Sequence, residues 1–242
     1  SLSQLILTND TIIKFHNLSG YFSSNRAYTT KTRLTQFERA QFKLTPYLKE
    51  VLVGLILGDL YMRRHSPTAN ARLQFRQGFL NHAYLSYLYN LFIVYVKQGI
   101  SYSVLGSWST PRNLPRISVS FATMALPCFN YYYDLFYKNG KKVIPEIIGE
   151  LLTFVSLAFW IMDDGHYMAN GGIRLSTDSY THREVLLLQK AMVDNFGINP
   201  TLQLKVKSKG QYVIYIPKGD VDKIRPFLVP HMHASMMYKL GL

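Results

Sequence analysis

The sequence is poor in three features that would each point to a particular class of protein. Its 242 residues contain one cysteine, Cys128, which excludes an internal disulfide and a cysteine-rich zinc site. The longest apolar runs reach about half of the roughly 20 residues that cross a bilayer, so no membrane span is expected. Acidic residues are scarce, since 14 Asp and Glu stand against 27 Lys and Arg, a net charge of +13. This excess indicates a polyanionic partner, either a nucleic acid or an anionic membrane surface, rather than a merely basic soluble protein.

Two apolar stretches that each end in aspartate stand out from the rest of the chain. They are LVGLILGDLY at 52–61 and SLAFWIMDDGHY at 156–167. Both predict buried helices, and the aspartates that end them, Asp59 and Asp164, are 105 residues apart (164 minus 59). Because a similar order of elements follows each stretch, the chain reads as two copies of one unit.

Each half of the chain predicts the order αββαββα. After Asp59, the alternating strand patterns ARLQFRQ, SYSVLGSW and RISVSFA surround a helix at 81–99, and a second helix at 127–140 closes the half. After Asp164 come the strand IRLSTDS, a helix at 181–197 with a Thr181–Glu184 capping box, a hairpin turning at Lys209-Gly210 and a last short helix. We therefore predict an N-terminal arm at 1–44, a first repeat at 45–145 and a second repeat at 146–242.

The predicted strands share one chemical pattern. Apolar residues alternate with Arg, Lys, Gln and Ser, so one face packs on helices and the other presents groups that bond phosphates and base edges. A merely solvated face would also carry Asp and Glu, and these strands carry almost none. The candidates for nucleic-acid contact are Arg63, Arg72, Gln74, Arg76, Arg116, Ser118, Ser120, Arg174, Gln203, Lys205 and Lys207.

The two aspartates suggest a shared metal site. If the repeats pack around a pseudo-twofold axis, the two helices lie side by side and their C-terminal ends bring Asp59 and Asp164 together. The carboxylates repel each other and the helix C-termini add negative charge, which a divalent cation such as Mg²⁺ would relieve. Metal-activated water could then hydrolyse phosphodiesters. The plain alternative is that each aspartate only terminates its helix.

LVGLILGDL (52–60) and LAFWIMDDG (157–165) resemble the paired signature motifs of the LAGLIDADG homing endonucleases, in particular the single-chain, two-repeat, intron-encoded members. The resemblance covers nearly all of 45–242. It implies an α+β fold in which two pseudosymmetric αββαββα repeats form a saddle of curved antiparallel sheets, with the motif helices packed at the pseudo-twofold axis. It also implies a monomeric, organellar (mitochondrial) enzyme that cuts both strands of a long asymmetric double-stranded DNA site and leaves short 3′ overhangs.

The resemblance also implies site residues. The eighth motif position binds metal, which gives Asp59 and Asp164, and the preceding main-chain carbonyl assists, which gives Gly58 and Asp163. Two or three divalent ions, expected to be Mg²⁺, would lie between the repeats. Asp163 adds a carboxylate that the first motif lacks, and we assign it no catalytic role.

Three further residues are catalytic candidates by the same resemblance. Lys142 and Lys239, near the ends of the two repeats, would orient water or stabilise charge on the phosphate; the alternative is that they anchor phosphates or lie at the surface. Gln74 resembles a water-positioning residue, and its counterpart would fall near Ser176–Asp178. Because that alignment has a gap, the two active sites are expected to be inequivalent.

The motif helices predict their own contact surface. Gly54 and Gly58 lie four residues apart on one helix face, where another backbone can approach closely. The matching residues of the second motif are Phe159 and Asp163. We expect small residues of one helix to receive large ones of the other, as in ridge-and-groove packing.

Two alternatives to a nuclease stay open on the sequence. Some relatives are maturases that bind intron RNA, so host intron RNA is a possible partner. Others have lost cleavage, and such a chain would act as a DNA-binding module or repressor. Retention of both aspartates favours cleavage.

Overall fold

The computed structural model describes residues 33–105, 116–206, 208 and 210–242. Contacts divide the chain into two units, and the fold considered below is the unit from Gln36 to Leu242. It opens with helix α1 (Gln36–Gln41). Leu44 is buried in the core, and the Tyr95 hydroxyl donates a hydrogen bond to the main-chain oxygen of Lys43 at 2.7 Å. Residues 36–44 therefore pack with the folded unit. The predicted boundaries at 44/45 and 145/146 stay predictions.

Both halves follow the predicted order of helices and strands. The first contains α2 (Pro46–Leu57), β1 (Tyr61–Arg63), β2 (Arg72–Gly78), α3 (His82–Leu91), β3 (Ser101–Leu105), β4 (Arg116–Ala122) and α4 (Asn130–Phe136). A connection follows, made of β5 (Tyr137–Lys138), β6 (Lys141–Lys142) and α5 (Ile148–Leu151). The second contains α6 (Phe154–Asp164), β7 (Gly165–Tyr167), β8 (Ile173–Ser176), α7 (His182–Phe196), β9 (Thr201–Val206), β10 (Gln211–Ile216) and α8 (Lys218–Leu228).

The strands form two antiparallel four-stranded sheets with the same connectivity. The orders are β1-β2-β4-β3 and β7-β8-β10-β9. A separate two-stranded hairpin pairs β5 with β6. The matching orders mean that a residue of one half can be assigned a counterpart in the other by strand register.

The two motif helices, α2 and α6, are buried because they are apolar on every side. All residues from Val51 to Leu57 in α2 are buried, as are all from Val155 to Met162 in α6. Their N-termini are capped locally: the Thr45 hydroxyl accepts from the Leu48 amide, and Thr153 forms a capping box with Ser156.

The absence of side chains at Gly54 and Gly58 allows the two motif helices to approach each other closely, as predicted. A Cβ atom on Gly54 would lie 2.8 Å from the Cβ of Phe159, and one on Gly58 would lie 2.5 Å from the Cβ of Asp163. Both distances are far below van der Waals contact. Any larger residue at either position would push the helices apart, and with them the aspartates at their ends.

Strand β2 shows the predicted division into two faces. Leu73 and Phe75 are buried against helices, whereas Arg72 and Arg76 are exposed on the opposite face. Ser118 on β4 departs from this pattern. It was expected to be open to a partner, but it is only 5% exposed and its hydroxyl has no hydrogen-bond partner within the described chain.

Two helices are shorter than predicted. The stretch 81–99 is helical only to Leu91, because Ile93–Tyr95 form a 3₁₀ turn and Val96 then pairs with Thr123 as an isolated bridge. The stretch 127–140 is helical over Asn130–Phe136 and ends in the β5–β6 hairpin. The helix predicted at 181–197 is confirmed, with Thr181 and Glu184 in a capping box.

The predicted turn residue Lys209 lies outside the described residues. Within the described chain, every helix is too short or too polar to cross a membrane.

Candidate active site

Asp59 and Asp164 occupy different positions relative to their helices. The first motif helix ends at Leu57, so Asp59 lies in the turn beyond it and is exposed. The second motif helix continues through Asp164, which is partly buried. Burial and the charge of Asp59 raise the pKa of Asp164 to about 7, against the lowering effect of two lysines. The carboxylate of Asp59 is therefore close enough to disfavour ionisation of Asp164, as expected if the paired motifs lie side by side.

Asp163 joins the two helices. Its Oδ2 accepts a hydrogen bond from the main-chain amide of Asp59 at 3.1 Å, and its Oδ1 accepts one from the Tyr84 hydroxyl at 3.0 Å. Burial, followed by the charge of Asp59, raises the pKa of Asp163 to about 8, although both hydrogen bonds act in the opposite direction. The side chain of Asp163 thus lies between the helices.

Lys142 and Lys239 converge on the same place from the two repeats. Lys142 Nζ donates to the main-chain oxygen of Gly58 at 2.7 Å, and Lys239 Nζ donates to that of Asp163 at 2.8 Å. Burial lowers the pKa of each lysine, while the nearby aspartates favour the charged form. Each lysine therefore closes the C-terminal end of a motif helix and brings positive charge to the carboxylates. Lys239 is only 8% exposed and Lys142 is partly buried, so neither lysine projects freely into solvent.

Among the described residues, Gln77 is the glutamine that hydrogen-bonds to Asp59, and the water-positioning role of Gln74 stays a prediction. Gln77 Nε2 donates to Asp59 Oδ2 at 3.0 Å, and its Oε1 accepts from Asn81 Nδ2 at 3.0 Å. Gln74 lies on the opposite face of β2, where it lines a groove together with Asp59. Both are glutamines of one strand, so only the strand register separates them.

Register also corrects the predicted counterpart in the second half. Gln74 pairs with Tyr61, two residues after Asp59, and Arg174 pairs with His166, two residues after Asp164. The counterpart of Gln74 is therefore Arg174, not a residue in 176–178. By the same count, the counterpart of Gln77 is Thr177, whose hydroxyl donates to the Tyr212 main-chain oxygen.

Two tyrosines complete the site without having been predicted. Tyr84, from α3 of the first half, reaches Asp163 of the second motif. Tyr180, which precedes α7 in the second half, donates to the main-chain oxygen of Leu57 in the first motif at 3.1 Å. Each half therefore contacts the motif of the other. In a chain with 18 tyrosines, nothing in the local sequence singles these two out.

The donor set fits a hard divalent cation. Within the described residues, three or more His, Cys, Asp or Glu side chains are nowhere grouped to hold a metal. Asp59 and Asp164 supply two carboxylates, and Mg²⁺ in proteins is usually held by one or two carboxylates together with water and substrate phosphate. The main-chain oxygens of Gly58 and Asp163, expected to assist, already accept hydrogen bonds from the lysines. A divalent ion bound here would therefore have the two aspartates as its side-chain ligands, and the assisting role of the two main-chain oxygens stays a prediction.

A groove of about 740 Å³ lies along the polar face of the first sheet, and Asp59 is one of its lining residues. Among the candidates for nucleic-acid contact, Arg72, Gln74, Arg76 and Ser120 line it. Of the other candidates, three are exposed, namely Arg63, Gln203 and Lys205, whereas Arg174 is partly buried. Lys205 forms an ion pair with Asp178 at 2.6 Å. Lys207 and the side chain of Arg116 lie outside what the structure describes. Basic and amide side chains therefore share one surface with the carboxylate of Asp59.

Comparison with known proteins places the chain in a family. Residues 49–224 match the LAGLIDADG DNA endonuclease family. A solved structure of the homing endonuclease I-WcaI bound to its DNA recognition sequence superposes with a TM-score of 0.78 at 25% identity, covering 89% of this chain and 95% of that one. The chain belongs to the LAGLIDADG DNA endonuclease family, and the expected fold is confirmed.

The relatives found by sequence include proteins named for each of the two functions considered above, an endonuclease and a maturase. The intron-encoded endonuclease ai4 of Dictyostelium discoideum is 41% identical over 123 residues, which is 50% of this chain and 76% of that protein. The cytochrome b mRNA maturase bI2 of Debaryomyces hansenii is 32% identical over 206 residues, which is 79% of this chain and 72% of that protein.

Proposed function

We propose that this protein is a site-specific homing endonuclease that hydrolyses both strands of a double-stranded DNA site with divalent metal ions. The observation that carries the proposal is the meeting of Asp59 and Asp164 at the ends of two helices whose separation Gly54 and Gly58 fix. Family membership and intron-encoded relatives agree with it.

Asp59 and Asp164 would hold the divalent ions, for which Mg²⁺ is the expected species. A bound ion would lower the pKa of water and stabilise charge on the phosphate. The support is electrostatic: ionising both carboxylates is unfavourable in the protein alone, as the raised pKa of Asp164 shows, and a cation removes that cost.

The chain's own groups prepare the site. Lys142 and Lys239 are fixed by the carbonyl oxygens they bind, so their charges stay near the aspartates, where they would stabilise negative charge on a phosphate. Gln77 is held by Asn81 and is placed to orient Asp59 or a water beside it. The groove along β2 leads DNA to Asp59 through contacts with phosphates and base edges.

The test is cleavage of a plasmid that carries the uninterrupted host-gene junction. We expect a linear product in Mg²⁺, and binding without efficient cleavage in Ca²⁺, because Ca²⁺ prefers a larger and looser shell of ligands. A plasmid with the junction scrambled is the control. Absence of Mg²⁺-dependent cutting of the junction contradicts the proposal.

One observation favours a second function. The match to the maturase of D. hansenii extends over more of this chain than the match to the endonuclease ai4 does. The same basic face would then bind host intron RNA, and the name of that relative also supports a mitochondrial location. Tight, salt-resistant binding to the intron RNA, combined with no DNA cleavage, would establish the maturase instead.

A further inference from the structure

The side chain of Asp163 forms hydrogen bonds from the second motif helix to two residues of the first half. Its carboxylate spans Asp59 on one side and Tyr84 on the other, both from the first half. The first motif has glycine at the matching position, and the side chain of Asp163 fills the space that glycine leaves, with Oδ2 2.7 Å from where a Cβ of Gly58 would lie. Because Gly58 has no side chain, the first motif cannot form the reciprocal contact with the second.

Asp59 needs such a contact because it lies beyond the end of its helix. The amides on either side still bond within the first motif helix, Gly58 N to Gly54 O at 3.1 Å and Leu60 N to Leu55 O at 3.0 Å. The amide of Asp59 instead bonds to Asp163. Asp164, by contrast, is itself the last helical residue, so the helix fixes its main chain.

We propose that Asp163 is a positioning residue for Asp59: its carboxylate, held by Tyr84, fixes the main chain from which the first metal-binding aspartate projects. This inference rests on the proposed function and adds a cross-repeat element to it. Both carboxylate oxygens of Asp163 are already engaged by protein donors, so its side chain acts through Asp59. The second repeat thereby determines the geometry of the first repeat's active site.

The contact itself can be measured in metal-free protein. An amide proton that bonds to a carboxylate resonates downfield, so we expect the Asp59 amide in wild type to lie downfield and to move upfield in Asp163→Ala. Asp163→Asn keeps an oxygen acceptor in place and should retain most of the shift. An unchanged Asp59 resonance in folded Asp163→Ala overturns the proposal. This readout holds even if the protein does not cut DNA, so it separates the failure of this inference from failure of the proposed function.

Single-turnover cleavage then tests the consequence. Removing a hydrogen-bond partner of a metal ligand commonly costs about 10–100-fold, so we expect Asp163→Ala to lower the cleavage rate by that factor with little change in DNA affinity. Tyr84→Phe should lower it less, and Asp163→Asn should restore the rate to within a few-fold of wild type. If Asp163→Asn is as slow as Asp163→Ala, the charge itself is needed and the positioning role is wrong.

Asp220 provides the matched control. It is also a largely buried aspartate that accepts a main-chain hydrogen bond, from Asn199 at 2.8 Å, but it lies in α8 and belongs to none of the site contacts described above. Asp220→Ala should reduce thermal stability and leave the cleavage rate unchanged. For each variant, the loss of cleavage rate can be divided by the loss of thermal stability. If this ratio is the same for Asp163→Ala and Asp220→Ala, Asp163 has only a structural role and the proposal fails.

Discussion

The two motif aspartates of this protein, Asp59 and Asp164, are supported in different ways, although the helices and sheets around them are arranged alike. Asp59 is exposed beyond its helix and is held by side chains, through Gln77 at its carboxylate and Asp163 at its amide. Asp164 is the last residue of its helix, and the register position of Gln77 is occupied there by Thr177, which bonds to Tyr212 instead. The two halves therefore share one backbone arrangement but differ in the side-chain contacts that hold their aspartates.

The largest effect should come from separating the two motif helices. Gly54→Leu places a branched side chain where Phe159 already packs, and overpacking of a tight core costs about 1–3 kcal/mol or more. Both sites should be lost together, and thermal melting by circular dichroism would show a lower midpoint. Gly149, where a Cβ would meet open space, is the matched position: Gly149→Ala should melt close to wild type. Wild-type melting and activity in Gly54→Leu would refute the close-packed pair.

Removing either carboxylate should be next in size. Asp59→Asn and Asp164→Asn each keep the shape of the side chain but remove a charged metal ligand, which is worth several kcal/mol, or about a thousandfold in rate. We expect each variant to lose double-strand cleavage while binding the site in Ca²⁺ nearly as well as wild type. Full cleavage by either variant would overturn the assignment of that aspartate.

The Gln77 contact distinguishes the two halves directly. Gln77→Ala should slow cleavage about 10–100-fold, because it removes the partner that orients Asp59, and nicked plasmid should accumulate. Thr177→Val, at the matching position, should cost only about 1 kcal/mol of stability through its lost hydrogen bond. Strand-resolved cleavage assays measure both effects. Equal loss of activity in the two variants would contradict the asymmetry.

Metal-free protein should become less stable as pH rises. The pKa values of Asp163 and Asp164 are raised in the folded protein to about 8 and about 7, from an ordinary value of 3.8. The folded state therefore holds protons that the unfolded chain has released, so stability falls between about pH 4 and pH 8. Thermal melting in EDTA measures this. Asp163→Asn should flatten the decline, whereas Asp220→Asn should not, since the pKa of Asp220 is lowered.

The smallest effect should distinguish the two sheet faces that are predicted to bind DNA. Arg72 lines the groove and forms no ion pair in the described part of the chain, whereas Lys205 is paired with Asp178. Arg72→Ala should reduce the slope of log affinity against log salt by about 1, as expected for one lost phosphate contact. Lys205→Ala should reduce it by less, because Lys205 must first leave Asp178. Equal slopes would mean that the ion pair does not compete with DNA.

Much of the site was predictable because it depends on local patterns. Apolar runs ending in Asp59 and Asp164 identified both motif helices, and the spacing of Gly54 and Gly58 predicted their contact. The helix ends after Leu91 and Phe136 were missed. For the first of them, the β-branched residues Ile93, Val94 and Val96 disfavour helix and were visible in the sequence.

Gln77 was missed for a different reason. Gln74 and Gln77 belong to one strand, and alternation predicts that they face opposite sides. Which of the two sides meets Asp59 depends on where the first motif helix ends relative to the sheet, and that is a tertiary relation.

The sequence by itself determined the two motif helices, the positive charge and the two carboxylates, because hydrophobic periodicity and residue type act over a few neighbouring residues. Tertiary structure alone decided that Asp163 reaches Asp59, that Tyr84 and Tyr180 cross between halves, and that Lys142 and Lys239 close the helix ends. These contacts join residues between about 75 and 125 positions apart in the chain. Over such separations, local sequence patterns do not indicate which residues are close in space. The two halves look alike in sequence, and only their packing makes one depend on the other.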